Sequence, residues 1–223
     1  MTRHVCKMKV SIVKYNAGNI FSVINAVKRL GIEPLLTDDK EELLTSDRVI
    51  FPGQGEASHA MAYLKEHNLD RVIRDLRQPV LGICIGQQLL CRHSEEGDTD
   101  CIGVFPMDVR RFVPTRHEDK IPQMGWNELK INNSKFKTGD NGGSVSPLLK
   151  GLKDGDFVYF VHSYYVPLHE EYTIAQTHFT LDYSAAIQKD NFFATQFHPE
   201  KSGRVGETIL RNFMEVEEVK SEE

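Results

Sequence analysis

The sequence predicts an α/β protein with a mixed, largely parallel central sheet, flanked by helices and extended by antiparallel strands. Three observations predict it. Strand-like and helix-like segments alternate from Val10 to Ile83, the rhythm of parallel strands with crossover helices. The second half is instead a run of short strands, several placed to pair as antiparallel neighbours. A chain of 223 residues suits one α/β domain, so 1–223 reads as a single unit, with 1–8 as an extension and 217–223 as an acidic tail.

Each element follows from local pattern. Val10 to Val13 is an apolar strand. Ile20, Val23, Ile24, Val27 and Leu30 recur at helical spacing, and Gly31 is a suitable C′ residue. Pro34 to Leu36 is a short strand, Lys40 to Ser46 a short helix, and Arg48 to Phe51 another strand. Met61 to Leu76 is amphipathic and helical, with a break near Asn68, and Pro79 to Ile83 is a strand. Gly103–Phe112, Trp126–Ile131, Asp156–Val161, Thr173–Thr177, Ser184–Gln188 and Phe192–Gln196 read as strands, and Val205–Val216 as a closing helix. The polar, glycine-containing stretch 132–146 reads as a surface loop.

Composition narrows function. The net charge of −5 argues against a basic nucleic-acid surface. No apolar run approaches the ~20 residues of a membrane span, and the N-terminal residues lack the apolar core of a secretory signal. Cys6, Cys84, Cys91 and Cys101 show neither a C-x-x-C pair nor metal-ligand spacing. They read as free thiols of a cytoplasmic protein, with no metal or cofactor expected. Cys91, seven residues after Cys84, is expected on the same helical face, in the core.

The chemistry concentrates in two stretches. Val80-Leu-Gly82-Ile-Cys84-Ile-Gly86 ends a strand in Gly-x-Cys-x-Gly and passes into the helix-compatible run Gln87–Cys91, a nucleophile elbow with cysteine as nucleophile. Small residues are needed around so sharp a turn, and a helix N-terminus favours thiolate over thiol. Gln196-Phe-His198-Pro-Glu200 follows a buried strand. Pro199 biases His198 toward extended geometry, which would put His198 and Glu200 on one side of the chain. A carboxylate there fixes the tautomer of the imidazole and supports its protonated form. His59, His67, His93, His117 and His169 lie in polar surroundings and read as surface residues.

These motifs resemble the class I (triad) glutamine amidotransferases, and within them the glutaminase subunits of imidazole glycerol phosphate synthases. Pro52-Gly53-Gln54-Gly55 is similar to their Pro-Gly-x-Gly oxyanion segment, and Pro122-Gln-Met124-Gly-Trp126-Asn127 to their partner-interface motif. Tyr15-Asn16-x-Gly18-Asn19, Gly103-Val-Phe-Pro106 and Tyr159-Phe-Val-His162-Ser163-Tyr164 fit as well. The resemblance implies Cys84, His198 and Glu200 as catalytic residues. Gly53, Gln54 and Ile85 would form the oxyanion hole, and Gln88, His162, Ser163 and Tyr164 the glutamine site. Met124, Trp126, Asn127, Tyr159 and Lys201 would face the partner, a cyclase subunit with a (β/α)₈ barrel. The implied reaction is hydrolysis of L-glutamine through a Cys thioester, the ammonia passing to the cyclase in histidine biosynthesis. Another class I amidotransferase or a free-standing γ-glutamyl hydrolase is the alternative. Departures are Gln54 at the variable oxyanion position, Cys101 where glycine is common, Lys14 where an acid is common, and a long 132–146 loop.

Overall fold

The computed structural model describes residues 8–15, 18, 20–132 and 145–217. The N-terminal extension up to residue 7, most of the 132–146 loop and residues 218–223 of the tail lie outside them. The strands are β1 (Val10–Val13), β2 (Leu35–Thr37), β3 (Arg48–Phe51), β4 (Val80–Ile83), β5 (Cys91–Ser94), β6 (Thr99–Asp100) and β7 (Phe105–Arg111). They continue with β8 (Gln123–Glu128), β9 (Lys130–Ile131), β10 (Phe157–His162), β11 (Tyr164–Tyr165), β12 (Thr173–His178), β13 (Asp182–Lys189) and β14 (Phe192–Thr195). The helices are α1 (Ile20–Arg29), α2 (Lys40–Leu44), α3 (Ala57–Glu66), α4 (Leu69–Asp75), α5 (Ile85–Leu90) and α6 (Gly203–Glu215).

The main sheet runs β2-β1-β3-β4-β14-β13-β12-β9. Its first five strands are parallel, and the pairs from β14 outward are antiparallel. The expected mixed sheet is therefore divided at β14, which is parallel to β4 on one side and antiparallel to β13 on the other. Successive residues of one strand point to opposite faces, and both faces are covered. Ile12, Ile50, Leu81 and Phe193 pack with Val23 and Val27 of α1 and with Ile209 and Phe213 of α6. Val13, Val49, Val80 and Ala194 pack on the other side with Met61 and Leu64 of α3, Ile73 of α4 and Leu89 of α5. Burial on both faces explains why these strands read as continuous apolar runs.

Two smaller sheets lie beside the main one, β10-β8 and β11-β7-β5-β6. In the first, an antiparallel ribbon, Gln123 is opposite His162, Met124 opposite Val161 and Trp126 opposite Tyr159.

Several expectations shift. The helix expected over Met61–Leu76 is two helices, α3 beginning earlier at Ala57, and the break falls at Asn68, which takes a left-handed φ of 54°. The strand expected over Trp126–Ile131 is split between two sheets, as β8 and β9. Cys91 is not on a helical face: α5 ends at Leu90, and Cys91 turns extended (ψ 177°) to begin β5. Its core placement holds, on the opposite side of the sheet from Cys84.

Candidate active site

β4 and β14 are adjacent and parallel, with Ile83 opposite Thr195. One strand delivers Cys84 and the other His198 to the same end of the sheet, which is how residues so distant in sequence meet. The turn at Cys84 is strained, with φ 55° and ψ −108°. The flanking glycines take no positive φ; they are needed for close approach. A Cβ on Gly86 would strike the Phe51 carbonyl oxygen, and one on Gly82 would lie 3.0 Å from the Gly86 carbonyl carbon. The strain is thus carried by Cys84 and the crowding by the glycines on either side.

The orienting carboxylate is held differently from the sequence expectation. His198 is extended (φ −98°, ψ 96°), but Pro199–Lys201 forms a 3₁₀ turn that brings Glu200 back. His198 Nδ1 donates to Glu200 Oε1 at 2.8 Å, both side chains being almost wholly buried. Burial alone would lower the affinity of the ring for a proton. Its two neighbours, the Cys84 sulfur and the Glu200 carboxylate, outweigh it and push the His198 pKa up to about 10. His198 Nε2 is buried and makes no hydrogen bond of ordinary geometry among the described residues. Thiol and ring are neighbours whose alignment is incomplete, as is common before substrate binds.

A cavity of about 330 Å³ opens over the sulfur, lined by Gln54, Cys84, Ile85, Gln88 and Glu96, with the 161–164 segment closing one wall. This is the lower end of the range for small-ligand pockets. Of the residues implied for the glutamine site and the oxyanion hole, only Gly53 is not on its lining. Gly53 is wedged next to it, where a Cβ would collide with the Tyr15 hydroxyl and with Ile85. The Tyr15 hydroxyl donates to the Pro52 carbonyl, and Gly18 N–H donates to the Gln54 carbonyl at 2.8 Å. The segment from Pro52 to Gln54 is therefore held on both sides of Gly53 by Tyr15 and Gly18. Ile85 N–H is the first of α5 and has no intrahelical acceptor.

Two implied contacts are refined. Gln88 Nε2 donates to the Tyr164 carbonyl and to Gln196 Oε1, each at 3.0 Å, so Oε1 is the end of Gln88 left for a ligand. Both His162 ring nitrogens are engaged, Nδ1 with the Tyr164 carbonyl at 2.7 Å and Nε2 with the Tyr183 hydroxyl at 3.1 Å. Burial lowers the His162 pKa to about 4, so the ring is neutral and Nδ1 carries the proton. It braces the wall of the cavity.

Glu96 was not singled out from sequence. It sits in the β5–β6 turn, accepts from Ala57 N–H at the start of α3 at 2.8 Å, and its pKa is raised chiefly by burial. A carboxylate in a small cavity marks a place for a cationic group. Its only sequence signal is a Glu-Glu-Gly turn, too common to stand out.

Met124 and Trp126 are 66% and 55% exposed on β8, outside the cavity. Trp126 meets the Tyr159 ring edge-on at 6.0 Å, and Asn127 Nδ2 donates to the His178 carbonyl at 2.6 Å. The backbone of Tyr159 accepts from His198 N–H at 2.9 Å and donates to Ser202 Oγ at 3.0 Å. Lys201, half-buried, lies in the intervening 3₁₀ turn. Burial pushes the other described cysteines, Cys91 and Cys101, away from ionisation, the latter to about 12. The exposed Lys14 lies 3.7 Å from Asp38.

A strained cysteine over a cavity, with a buried His–Glu pair just past the neighbouring strand, is the arrangement that acyl transfer on an α/β sheet requires. A family model for class I glutamine amidotransferases matches residues 11–216, and the chain belongs to that family. Within it, the chain is 56% identical over 209 residues to imidazole glycerol phosphate synthase subunit HisH of Bacteroides fragilis (strain YCH46), a match covering 94% of this chain and 100% of that one. It is 43% identical over 209 residues to the HisH subunit of Idiomarina loihiensis, covering 94% and 98%. A solved glutamine amidotransferase shares the fold with a TM-score of 0.68 at 20% identity, covering 92% of this chain and 97% of that one. No helix among the described residues is long and apolar enough to cross a membrane.

Proposed function

We propose that this chain is the glutaminase subunit of an imidazole glycerol phosphate synthase. It hydrolyses L-glutamine to glutamate and ammonia, and the ammonia serves a cyclase subunit in histidine biosynthesis. The lyase step of the synthase belongs to that partner, so the hydrolase activity alone is assigned to this chain. Residues 1–223 are taken as one amidotransferase domain, since both apolar clusters pack on the same sheet. The cytoplasm is its expected compartment.

The observation that carries the reading is Cys84, strained at the end of β4, beside a His198 that is paired with the buried Glu200 carboxylate. A thiolate beside an imidazolium is the attacking form. Cys84 Sγ attacks the side-chain amide carbon of glutamine, and the oxyanion is received by Ile85 N–H and the Gly53–Gln54 segment. His198 gives its proton to the departing ammonia and takes one from the water that opens the thioester. Glu96 receives the α-ammonium of glutamine, and Gln88 Oε1 accepts from a substrate N–H. The ribbon of β8 and β10 receives the cyclase, a (β/α)₈ barrel, through Met124, Trp126, Asn127, Tyr159 and Lys201. Tyr159 lies one backbone hydrogen bond from His198, giving the partner a short path to the triad.

The test is glutamine hydrolysis by the purified chain, with and without the cognate cyclase and its nucleotide ligand. Near-zero activity alone, a large rise in the complex and loss in Cys84→Ala are expected. Full activity alone, indifferent to the cyclase, points to a free-standing hydrolase or another class I amidotransferase.

A further inference from the structure

The sulfur of Cys84 has a neighbour outside the triad. Gln196, wholly buried just past β14, places Nε2 3.8 Å from Sγ. The two ends of a side-chain amide are alike in shape, so which end faces the sulfur must follow from its neighbours. Here the neighbours force the answer. A backbone carbonyl only accepts, so Gln88, 3.0 Å from the Tyr164 oxygen, turns its NH₂ group that way. The second N–H of that group reaches Gln196 at 3.0 Å, and Gln196 must answer with Oε1. Its own NH₂ group is left pointing at Sγ.

A second polar neighbour of the sulfur outside the triad is the Val161 carbonyl at 3.9 Å, an acceptor. The two partners suit the two forms of the nucleophile: a thiol donates to Val161, and a thiolate accepts from Gln196. We propose that Gln196 is a catalytic residue, donating an N–H···S hydrogen bond to the Cys84 thiolate, and that Gln88 is the positioning residue that aims it. The bond is strongest while the sulfur is charged and weakens once acylation removes that charge. It therefore favours regeneration of the thiolate as leaving group when water opens the thioester. Its buried setting, away from competing water, adds to its strength.

The role in turnover rests on the glutaminase reading, whereas the role at the sulfur rests on geometry alone, and the experiment separates them. Gln196→Met and Gln196→Leu remove the donor while filling the space, with retention of the fold checked by circular dichroism and thermal melting. Two quantities are read: the iodoacetamide rate at Cys84 near neutral pH, followed by mass spectrometry of its peptide, and the kcat and KM for glutamine of the complex with the cyclase. Both the alkylation rate and kcat should fall about 10- to 100-fold, the range for a hydrogen bond to a charged group, with KM within about twofold. An unchanged alkylation rate in a folded variant overturns the proposal, as does a loss confined to KM, which would mark Gln196 as a mere prop for Gln88. If the wild-type complex does not hydrolyse glutamine, the functional reading fails, and the alkylation rates still decide the role of Gln196.

Discussion

The elbow and the β8–β10 ribbon border the same cavity and are built in opposite ways. Every residue from Val80 to Leu90 is buried, and glycine stands where another strand's backbone leaves no room for a Cβ. The ribbon buries one face, Gln123, Val158, Phe160 and His162, and turns Met124, Trp126 and Phe157 outward. The elbow has no slack, so its chemistry is fixed by folding; the ribbon keeps apolar surface for a later contact. The contrast extends to the histidine next to the elbow and the one on the ribbon, since His198 is held protonated by its neighbours while His162 is held neutral by burial.

The sharpest way to break the comparison is Gly86→Ala. Its Cβ would meet the Phe51 carbonyl, backbone that cannot move aside, so a destabilisation of about 4 kcal/mol or more, or failure to fold, is expected from urea denaturation. On the ribbon, Trp126→Ala should leave the free chain within about 1 kcal/mol of wild type and weaken cyclase binding by about 2 kcal/mol or more, read by calorimetry. Equal losses in both would mean that Trp126 supports the fold.

The two histidines give pH tests of opposite sign. The folded pKa of His198 is raised, so the native state holds the extra proton between about 6.5 and about 10, and that contribution is lost as pH rises through this window. The folded pKa of His162 is lowered, so the unfolded state binds the extra proton between about 4 and about 6.5, and stability falls as pH drops through it. Denaturation across pH should flatten above 6.5 in His198→Asn and below 6.5 in His162→Gln.

The smallest effect expected is a gain. Gln87 on α5 is wholly buried, and neither end of its amide has a partner among the described residues. Gln87→Met keeps the volume without the desolvated amide, and should raise stability by about 1–2 kcal/mol, seen as a higher denaturation midpoint. No gain would show the elbow helix to be less closed than its burial implies.

The legible parts of the molecule were those whose cause is local. Cys84 between glycines and the apolar run before it each state their own geometry, and the His-Pro-Glu sequence states its pairing. What escaped depends on partners far along the chain. Cys91-Arg-His-Ser94 has no strand pattern until β7 and β6 pair with it. Glu96 gains meaning from Ala57 N–H and Gln196 from Cys84 and Gln88, none nearby in sequence. The His198–Glu200 pairing was legible as a pair but not as a 3₁₀ turn, because both backbone paths bring the side chains together.

The ribbon also makes the molecule its own spectroscopic probe. The chain has a single tryptophan, and it stands 55% exposed on β8, edge-on to Tyr159. Selectively excited indole emission therefore reports one site only, free of any signal from the sheet interior. A blue shift on adding the cyclase would time the docking of that face in a stopped-flow trace, while glutamine bound over Cys84 would leave the emission nearly unmoved.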